Sequence, residues 1–203
     1  MARRMGLPVR RFIVASNRNK VLTDFFQTGC YDIRRPFHKT NAPAMDILVS
    51  SNLERLLCML GGDATQTSRL MQALATEGVY RISDTQFQSL RSLFAAGWQD
   101  EQEVLDTICR CYRATGYLAD THTAVALGVA EQYRIKGDTT STVVLSTASP
   151  YKFPASVCQA ILGKALPDAE AMEALHEATG VPVPACLADV MTRPVLHTGI
   201  ADP

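Results

Sequence analysis

The chain of 203 residues contains twenty basic and twenty acidic side chains, so its formal net charge at pH 7 is zero. This balance gives no reason to expect binding to nucleic acid or to an anionic membrane surface. A hydrophobic content of 47% with 20% charged residues is ordinary for a globular protein, and the length suits one domain or part of a larger protein. The sequence contains no apolar run long enough to cross a bilayer and no signal-peptide core at its N-terminus.

The six cysteines are scattered along the chain at Cys30, Cys58, Cys109, Cys111, Cys158 and Cys186. They form no C-x-x-C pair and no cluster with histidine at the spacing of a zinc site. We therefore predict no metal site, and we expect reduced thiols in a cytoplasmic protein.

The first predicted strand is Phe12-Ile13-Val14-Ala15, a short apolar run that is typical of a buried strand. Asn17 and Asn19 follow its end, where their side-chain amides can either cap the next helix or face a ligand. The residues 21–26 predict a short helix. The polar, charged and proline-containing residues 30–46 predict an extended loop.

Residues 46–117 predict one helix after another. Leucines recur at helical spacing within residues 53–60 and again within 70–74, and Ser83 with Gln86 predicts a capping box. Such apolar stripes are typical of helices that pack against one another. This block is interpreted as a helical insertion between two strand-forming regions.

A further helix is predicted to begin at Asp120 or Thr121, either of which can cap it. Its small and apolar residues indicate that it is buried against a sheet. His122 lies in the first turn, where the positive end of the helix dipole favours the neutral imidazole. A histidine at this place can serve as a structural hydrogen-bonding group or as a functional one.

The second predicted buried strand covers residues 142–145, and the hydroxyl residues Ser146 and Thr147 follow its end. Ligands of open α/β sheets bind beyond the carboxyl ends of the strands, so both hydroxyls are candidates for facing a ligand. The alternative is a plain corner between a strand and a helix, with Ser149 as the N-cap before Pro150. The residues after Phe153 predict further helices.

Four segments of the chain together resemble threonine synthase, the pyridoxal-phosphate enzyme that converts O-phospho-L-homoserine and water to L-threonine and phosphate. They occur in the family's order and extend nearly from end to end: FIVASNRN at 12–19, PAMDILVSSNLERLL at 43–57, GYLADTHTA at 116–124 and LSTASPYKF at 145–153.

The resemblance implies an α/β fold, the C-terminal part of a fold-type-II pyridoxal-phosphate enzyme, with short buried strands and a large helical insertion. Residues 1–45 would belong to the α/β cofactor-binding domain and residues 46–117 would form the helical insertion. Residues 118–203 would return to the α/β domain and end in the C-terminal helices.

The resemblance also implies a site. In the family's S-T-A-x-P segment the threonine hydrogen-bonds the pyridine nitrogen of the cofactor, and that role falls on Thr147, with Ser146 beside it. A neutral hydroxyl does not hold the ring nitrogen protonated, so it tunes the cofactor as an electron sink. The residues expected at the wall of the same site are Asp120, His122, Asn17 and Asn19.

The family's Schiff-base lysine and its phosphate-binding loop lie in an N-terminal segment that this sequence does not match. No catalytic residue is therefore assigned here, and we expect the chain to be inactive alone and to need the N-terminal portion as its partner. It corresponds to roughly the C-terminal two-fifths of a family member. The alternatives are a non-catalytic module that binds or complements a partner, and part of another fold-type-II lyase.

Overall fold

The computed structural model describes residues 2–61, 63–135, 137–190 and 193–199. Its strands are β1 (Phe12–Ser16), β2 (Cys30–Asp32), β3 (Val79–Arg81) and β4 (Phe94–Trp98). Its α-helices are α1 (Val21–Thr28), α2 (Leu53–Gly61), α3 (Ala64–Glu77), α4 (Asp84–Leu93), α5 (Glu101–Thr115), α6 (Thr121–Ile135), α7 (Pro154–Leu162), α8 (Asp168–Thr179) and α9 (Ala185–Ala188). Within these ranges no helix is both long enough and apolar enough to span a membrane.

The strands pair two by two. β1 runs parallel to β4, and β2 runs antiparallel to β3. The strand predicted at residues 12–15 is therefore confirmed, although most of its side chains are only half-buried. The expected mixture of helices with a few short strands is also confirmed.

The region 46–117 is not helical throughout, because β3 and β4 lie inside it. The prediction that helices follow one another without interruption is wrong at these two places. The middle of β4 consists of Ala95, Ala96 and Gly97, which give no alternation of apolar and polar side chains. Their small size allows α6 to pack closely against the strand. A Cβ atom on Gly97 would lie 2.8 Å from Val129 Cγ1 of α6, closer than such atoms approach. The proposed domain limits stay a prediction.

The predicted helix signals are mostly confirmed. Ser83 accepts a hydrogen bond from the backbone of Gln86, and the Gln86 side chain returns to Ser83, which completes the capping box. Gly29 ends α1 with φ of 72°, in the left-handed region that glycine enters without steric cost. These local signals set where the helices begin and end.

Two hydrophobic cores lie on either side of β1. Val14 packs against the core built by α1, α2 and the antiparallel pair of β2 and β3, where Phe25 and Tyr31 are fully buried. Ala15, which points the other way along the strand, packs against the core formed by helices α5 to α8, around Ile108 and Val157. The end of β1 is thereby fixed between two packed layers.

The prediction of a buried strand at residues 142–145 is wrong in this structure. Val143 is 85% exposed and Leu145 is 75% exposed. Residues 143–148 take part in no backbone-to-backbone hydrogen bond among the described residues. A strand exists only where a neighbour accepts its backbone groups, and none of the described strands lies against this segment.

Candidate functional site

A network of buried polar side chains lies beyond the carboxyl end of β1. Three parts of the chain meet there: the turn after β1, the loop of residues 38–46 and the start of α6. The corner of residues 146–149 joins them from the side of α6. All the candidate residues from the sequence lie in or beside this network. We call it the polar cluster, and its members are Asn17, Asn19, Thr40, Asp46, Tyr117, Asp120, His122, Thr123 and Ser146.

Asn17 and Asn19 are buried and do not cap α1, whose N-cap is Lys20 without a side-chain bond. The Asn17 amide donates to Asp46 Oδ1 at 2.7 Å and to Ala42 O at 3.3 Å, and its oxygen accepts from Asn19 N at 2.9 Å. The Asn19 side chain donates to His38 O at 2.7 Å and accepts from His38 N at 2.9 Å. Both asparagines therefore bind the loop of residues 38–46, and the helix-capping interpretation is wrong.

Asp46 is the acceptor at the centre of that loop. Its Oδ1 also receives Asn19 Nδ2 at 3.0 Å and Thr40 Oγ1 at 2.8 Å, while Oδ2 receives Thr40 N at 3.0 Å. One carboxylate thus collects donors from β1's end and from its own loop. Carboxylates with several such donors are held firmly because charge-assisted bonds are the stronger ones.

Asp120 is completely buried and caps α6, and it is one of the two residues predicted for that role. Its Oδ1 accepts from His122 N at 2.9 Å, and both oxygens lie 3.4 Å from Thr123 N. Burial acts to raise the pKa of this carboxyl. The hydrogen bonds from the side chains and backbone N–H groups of His122 and Thr123 outweigh burial, so the pKa lies below its ordinary value of 3.8.

Both ring nitrogens of His122 are engaged in the folded chain. Its Nε2 accepts a hydrogen bond from Ala44 N at 3.0 Å, which requires a free lone pair on that nitrogen. The proton therefore sits on Nδ1, which lies 3.0 Å from Asp120 Oδ1 and donates to it. With both ring nitrogens engaged, His122 links the start of α6 to the loop that carries Asp46.

The corner after residue 145 is attached to α6 through hydroxyl groups. The Thr123 hydroxyl donates to Asp120 Oδ2, and its oxygen lies 3.3 Å from Ser146 Oγ. Tyr117 Oη lies 2.7 Å from the same Ser146 Oγ, within hydrogen-bonding distance. Ser146 is thus fixed from two sides.

Thr147 lies next to this anchor and is itself exposed. Its side chain makes no hydrogen bond to another described residue. Ser149 caps the following turn by accepting from Tyr151 N at 3.3 Å, as the corner interpretation predicts. The corner and a ligand-facing role are compatible, because Ser149 supplies the cap and leaves the Thr147 hydroxyl free.

Sequence reasoning assigned no individual role to four members of the polar cluster, namely Thr40, Asp46, Tyr117 and Thr123. Three of them stand inside segments that carry the resemblance, so their segments were found but not their individual roles. Their roles depend on contacts between residues far apart in the chain, such as Tyr117 with Ser146. Such pairings leave no local pattern.

Comparison with known proteins places these observations in a family. A family model described as "Threonine synthase, C-terminal" matches residues 123–201. Threonine synthase from Pseudomonas aeruginosa is 38% identical over 166 residues, which are 81% of this chain and 35% of that protein. The human protein named threonine synthase-like 1 is 41% identical over 162 residues, 79% of this chain and 22% of that protein.

The comparison of structures leads to the same family as the comparison of sequences. The crystal structure of threonine synthase from Brucella melitensis with bound pyridoxal phosphate superimposes with a TM-score of 0.77 at 36% sequence identity. The match covers 95% of this chain and 38% of that structure, so the chain spans well under half the length of these relatives. The chain thus corresponds, in sequence and in fold, to the C-terminal portion of a threonine synthase.

Proposed function

We propose that this chain forms one wall of the active site of a pyridoxal-phosphate-dependent threonine synthase, which converts O-phospho-L-homoserine and water to L-threonine and phosphate. The observation that carries the proposal is the free hydroxyl of Thr147, beside an anchored Ser146, in the S-T-A-x-P segment that resembles the family. The pyridoxal phosphate bound by the Brucella melitensis relative supports the choice of cofactor.

The residues present fit the pyridine side of such a cofactor. Thr147 exposes a hydroxyl that has no partner among the described residues, so it can hydrogen-bond a ring nitrogen. When bound, pyridoxal phosphate acts as an electron sink that stabilises negative charge on a substrate carbon. Because a hydroxyl is neutral, Thr147 would orient the ring without holding its nitrogen protonated.

The polar cluster would serve to hold Thr147 in place. Ser146 is bonded to Tyr117 and Thr123, and Thr123 is bonded to the buried Asp120. His122 has no free ring nitrogen in this arrangement, so we assign it the role of a positioning residue rather than that of a base. Asn17 and Asn19 would support the wall in the same way, through Asp46.

The chain is proposed to need a complementary portion for catalysis. None of its residues matches the family's Schiff-base lysine, and Lys20, the lysine closest in sequence to β1, is paired with Asp24 at 2.6 Å. We therefore expect no turnover by the chain alone. An N-terminal portion would supply the lysine and the phosphate-binding loop.

The test is a chimera that joins the part of the Pseudomonas aeruginosa threonine synthase preceding the matched region to this chain. We expect the chimera to release phosphate and form threonine from O-phosphohomoserine in the presence of pyridoxal phosphate, and the chain alone to do neither. A folded chimera that binds the cofactor but forms no threonine would contradict the proposed function.

Within the chimera, Thr147→Val should lower kcat roughly tenfold, because a lost hydrogen bond of about 1.4 kcal/mol corresponds to that factor. Thr147→Ser should retain most of the activity, since it keeps the hydroxyl. Thr139→Val is the matched control, because Thr139 is also an exposed threonine but lies outside the polar cluster. Equal activity of all three variants would show that Thr147 is only a corner residue.

A further inference from the structure

We infer that Arg18 and Lys39 form a cationic pair beside the polar cluster and that this pair binds the phosphate group of a phosphorylated substrate. The inference rests on the proposed function for the identity of that substrate, O-phosphohomoserine. A phosphate monoester carries a charge between about −1.5 and −2 at pH 7, so two cations can neutralise it.

Two stretches of the chain lie side by side next to the pair. In the turn after β1, the Asn19 side chain donates to His38 O at 2.7 Å and accepts from His38 N at 2.9 Å. Two residues earlier, the Asn17 amide donates to Thr40 Oγ1 at 2.9 Å. The later residue of the turn thus contacts the earlier residue of the loop, so the two stretches run in opposite directions.

Arg18 and Lys39 are the middle residues of these two stretches, which makes them neighbours across the contact. Asn17 and Asn19 are buried, whereas Arg18 between them is exposed, and Lys39 is exposed as well. The asparagine side chains are therefore directed into the protein, and the two cations lie together on its surface.

The part of the chain around the pair carries an excess of positive charge. Residues 17–46 contain five basic side chains and three carboxylates, although the whole chain has a net charge of zero. The five are Arg18, Lys20, Arg34, Arg35 and Lys39, and the three are Asp24, Asp32 and Asp46. This region therefore has two more positive than negative charges.

The excess falls on Arg18 and Lys39, because the other three cations take two of the carboxylates. Lys20 and Arg35 each lie 2.6 Å from Asp24. Arg34 lies 2.8 Å from Asp32.

The third carboxylate, Asp46, receives neutral donors from Asn17, Asn19 and Thr40. Arg18 and Lys39 form no ion pair or hydrogen bond with any residue that the structure describes. Two neighbouring cations repel each other, so an anion bound between them is favoured by both.

The chemistry of the pair suits a phosphate group. The planar guanidinium of Arg18 can donate two parallel hydrogen bonds to phosphate oxygens, and the ammonium of Lys39 adds a compact charge. Both side chains are exposed, which suits a group that arrives with the substrate and departs as product. The resemblance places the phosphate of the cofactor in a loop of the N-terminal portion, which leaves the substrate's phosphate for this pair.

The first experiment titrates the chain alone with O-phosphohomoserine and follows its backbone amides by NMR. We expect saturable shifts of the amides of residues 18 and 39, and none with homoserine, which lacks the phosphate. Arg18→Ala should weaken binding at least about tenfold, since a charge-assisted hydrogen bond is lost. Arg34→Ala is the matched control, because it removes the same charge from an exposed arginine that is paired with Asp32, and it should bind like the wild type.

The second experiment uses the chimera described above. Arg18→Ala and Lys39→Ala should each lower kcat/KM for O-phosphohomoserine at least about tenfold, and Arg34→Ala should not. The Kd for pyridoxal phosphate should stay within about twofold in all three variants. The deficit should shrink at high ionic strength, because salt screens the attraction between exposed charges.

The titration of the chain alone decides the inference even where a chimera fails to fold. An absence of phosphate-dependent shifts at residues 18 and 39 overturns the pair, even if the chimera forms threonine. Equal losses of binding in Arg18→Ala and Arg34→Ala also overturn it, because the charge of the whole region then acts without a defined site.

Two further outcomes separate the pair from the cofactor and from the proposed function. If Arg18→Ala weakens the binding of pyridoxal phosphate but leaves kcat/KM for the substrate unchanged at saturating cofactor, the pair holds the cofactor's phosphate and the inference is wrong. Phosphate-dependent binding that Arg18→Ala removes, together with a folded chimera that forms no threonine, supports the pair and contradicts the proposed function.

Discussion

β1 and residues 142–147 have the same type of sequence, an apolar run followed by polar residues, yet they differ in structure. β1 pairs with β4, and Ser16 and Asn17 at its end are buried. Val143 and Leu145 are exposed, and their backbone groups form no hydrogen bond with the backbone of another described residue. An apolar pattern therefore shows that a segment is able to form a strand. The strand forms only where a neighbouring strand pairs with its backbone.

The polar ends of the two segments differ in the same way. At the end of β1, the side chains of Asn17 and Asn19 form their hydrogen bonds with the loop of residues 38–46. At the other end, Ser146 is anchored, but the Thr147 hydroxyl bonds to none of the residues that the structure describes. The closed end therefore supports the fold, whereas the open end keeps one hydroxyl without a partner among the described residues.

The largest expected effect comes from breaking the closed end. Asp120→Ala should lower the free energy of unfolding by about 2–4 kcal/mol, because α6 loses its cap and the buried donors of His122 and Thr123 lose their acceptor. Urea unfolding of the chain measures this. Asp63→Ala is the matched control, since Asp63 caps α3 by accepting from Thr65 N but is exposed, and it should cost about 1 kcal/mol.

The same carboxylate predicts how the variant responds to acid. The pKa of Asp120 is lower in the folded chain than its ordinary value of 3.8, so its contribution is fully present well above that pH. The contribution is lost as the pH falls below 3.8 toward the folded pKa. The stability difference between the wild type and Asp120→Ala should therefore shrink at pH 3 and stay constant between pH 6 and 8.

A loss of stability of intermediate size is expected where α6 packs against Gln99, the residue that follows β4. A Cβ atom on Gly128 of α6 would lie 1.9 Å from Nε2 of the buried Gln99, which follows β4 and donates its backbone N–H to Ser16 O. Gly128→Ala should cost about 1–3 kcal/mol, since Gln99 must be displaced. Adding Gln99→Ala should recover part of the loss, and full additivity of the two changes would contradict a direct clash.

The smallest effect is expected at the open segment. Leu145→Ser should change the free energy of unfolding of the chain by less than about 0.5 kcal/mol, because the side chain is already exposed. Val14→Ser in β1 should cost about 1–2 kcal/mol, since Val14 packs against a core. Comparable losses at both positions would show that residues 142–147 are packed in the chain alone.

Much of this fold was predictable from local signals. The strand at residues 12–15, the capping box of Ser83 and Gln86, and the helix stop at Gly29 depend on neighbours within a few residues. The family segments likewise contain Ser146, Asp120 and His122, which the structure brings together, and their functional roles stay a prediction. Their assignment to one polar cluster required the structure.

The sequence by itself therefore determined many of the helix limits, the first strand, the choice of Asp120 or Thr121 as the cap of α6, and the family of the chain. Only the tertiary structure decided that Asn17 and Asn19 bind a distant loop, that β4 lies within the region predicted as helical, and that residues 142–147 stay unpaired. The physical reason is how far apart along the chain the interacting residues lie. Caps and turns are satisfied by the nearest residues, whereas strands and buried amides need partners that folding brings from far along the chain.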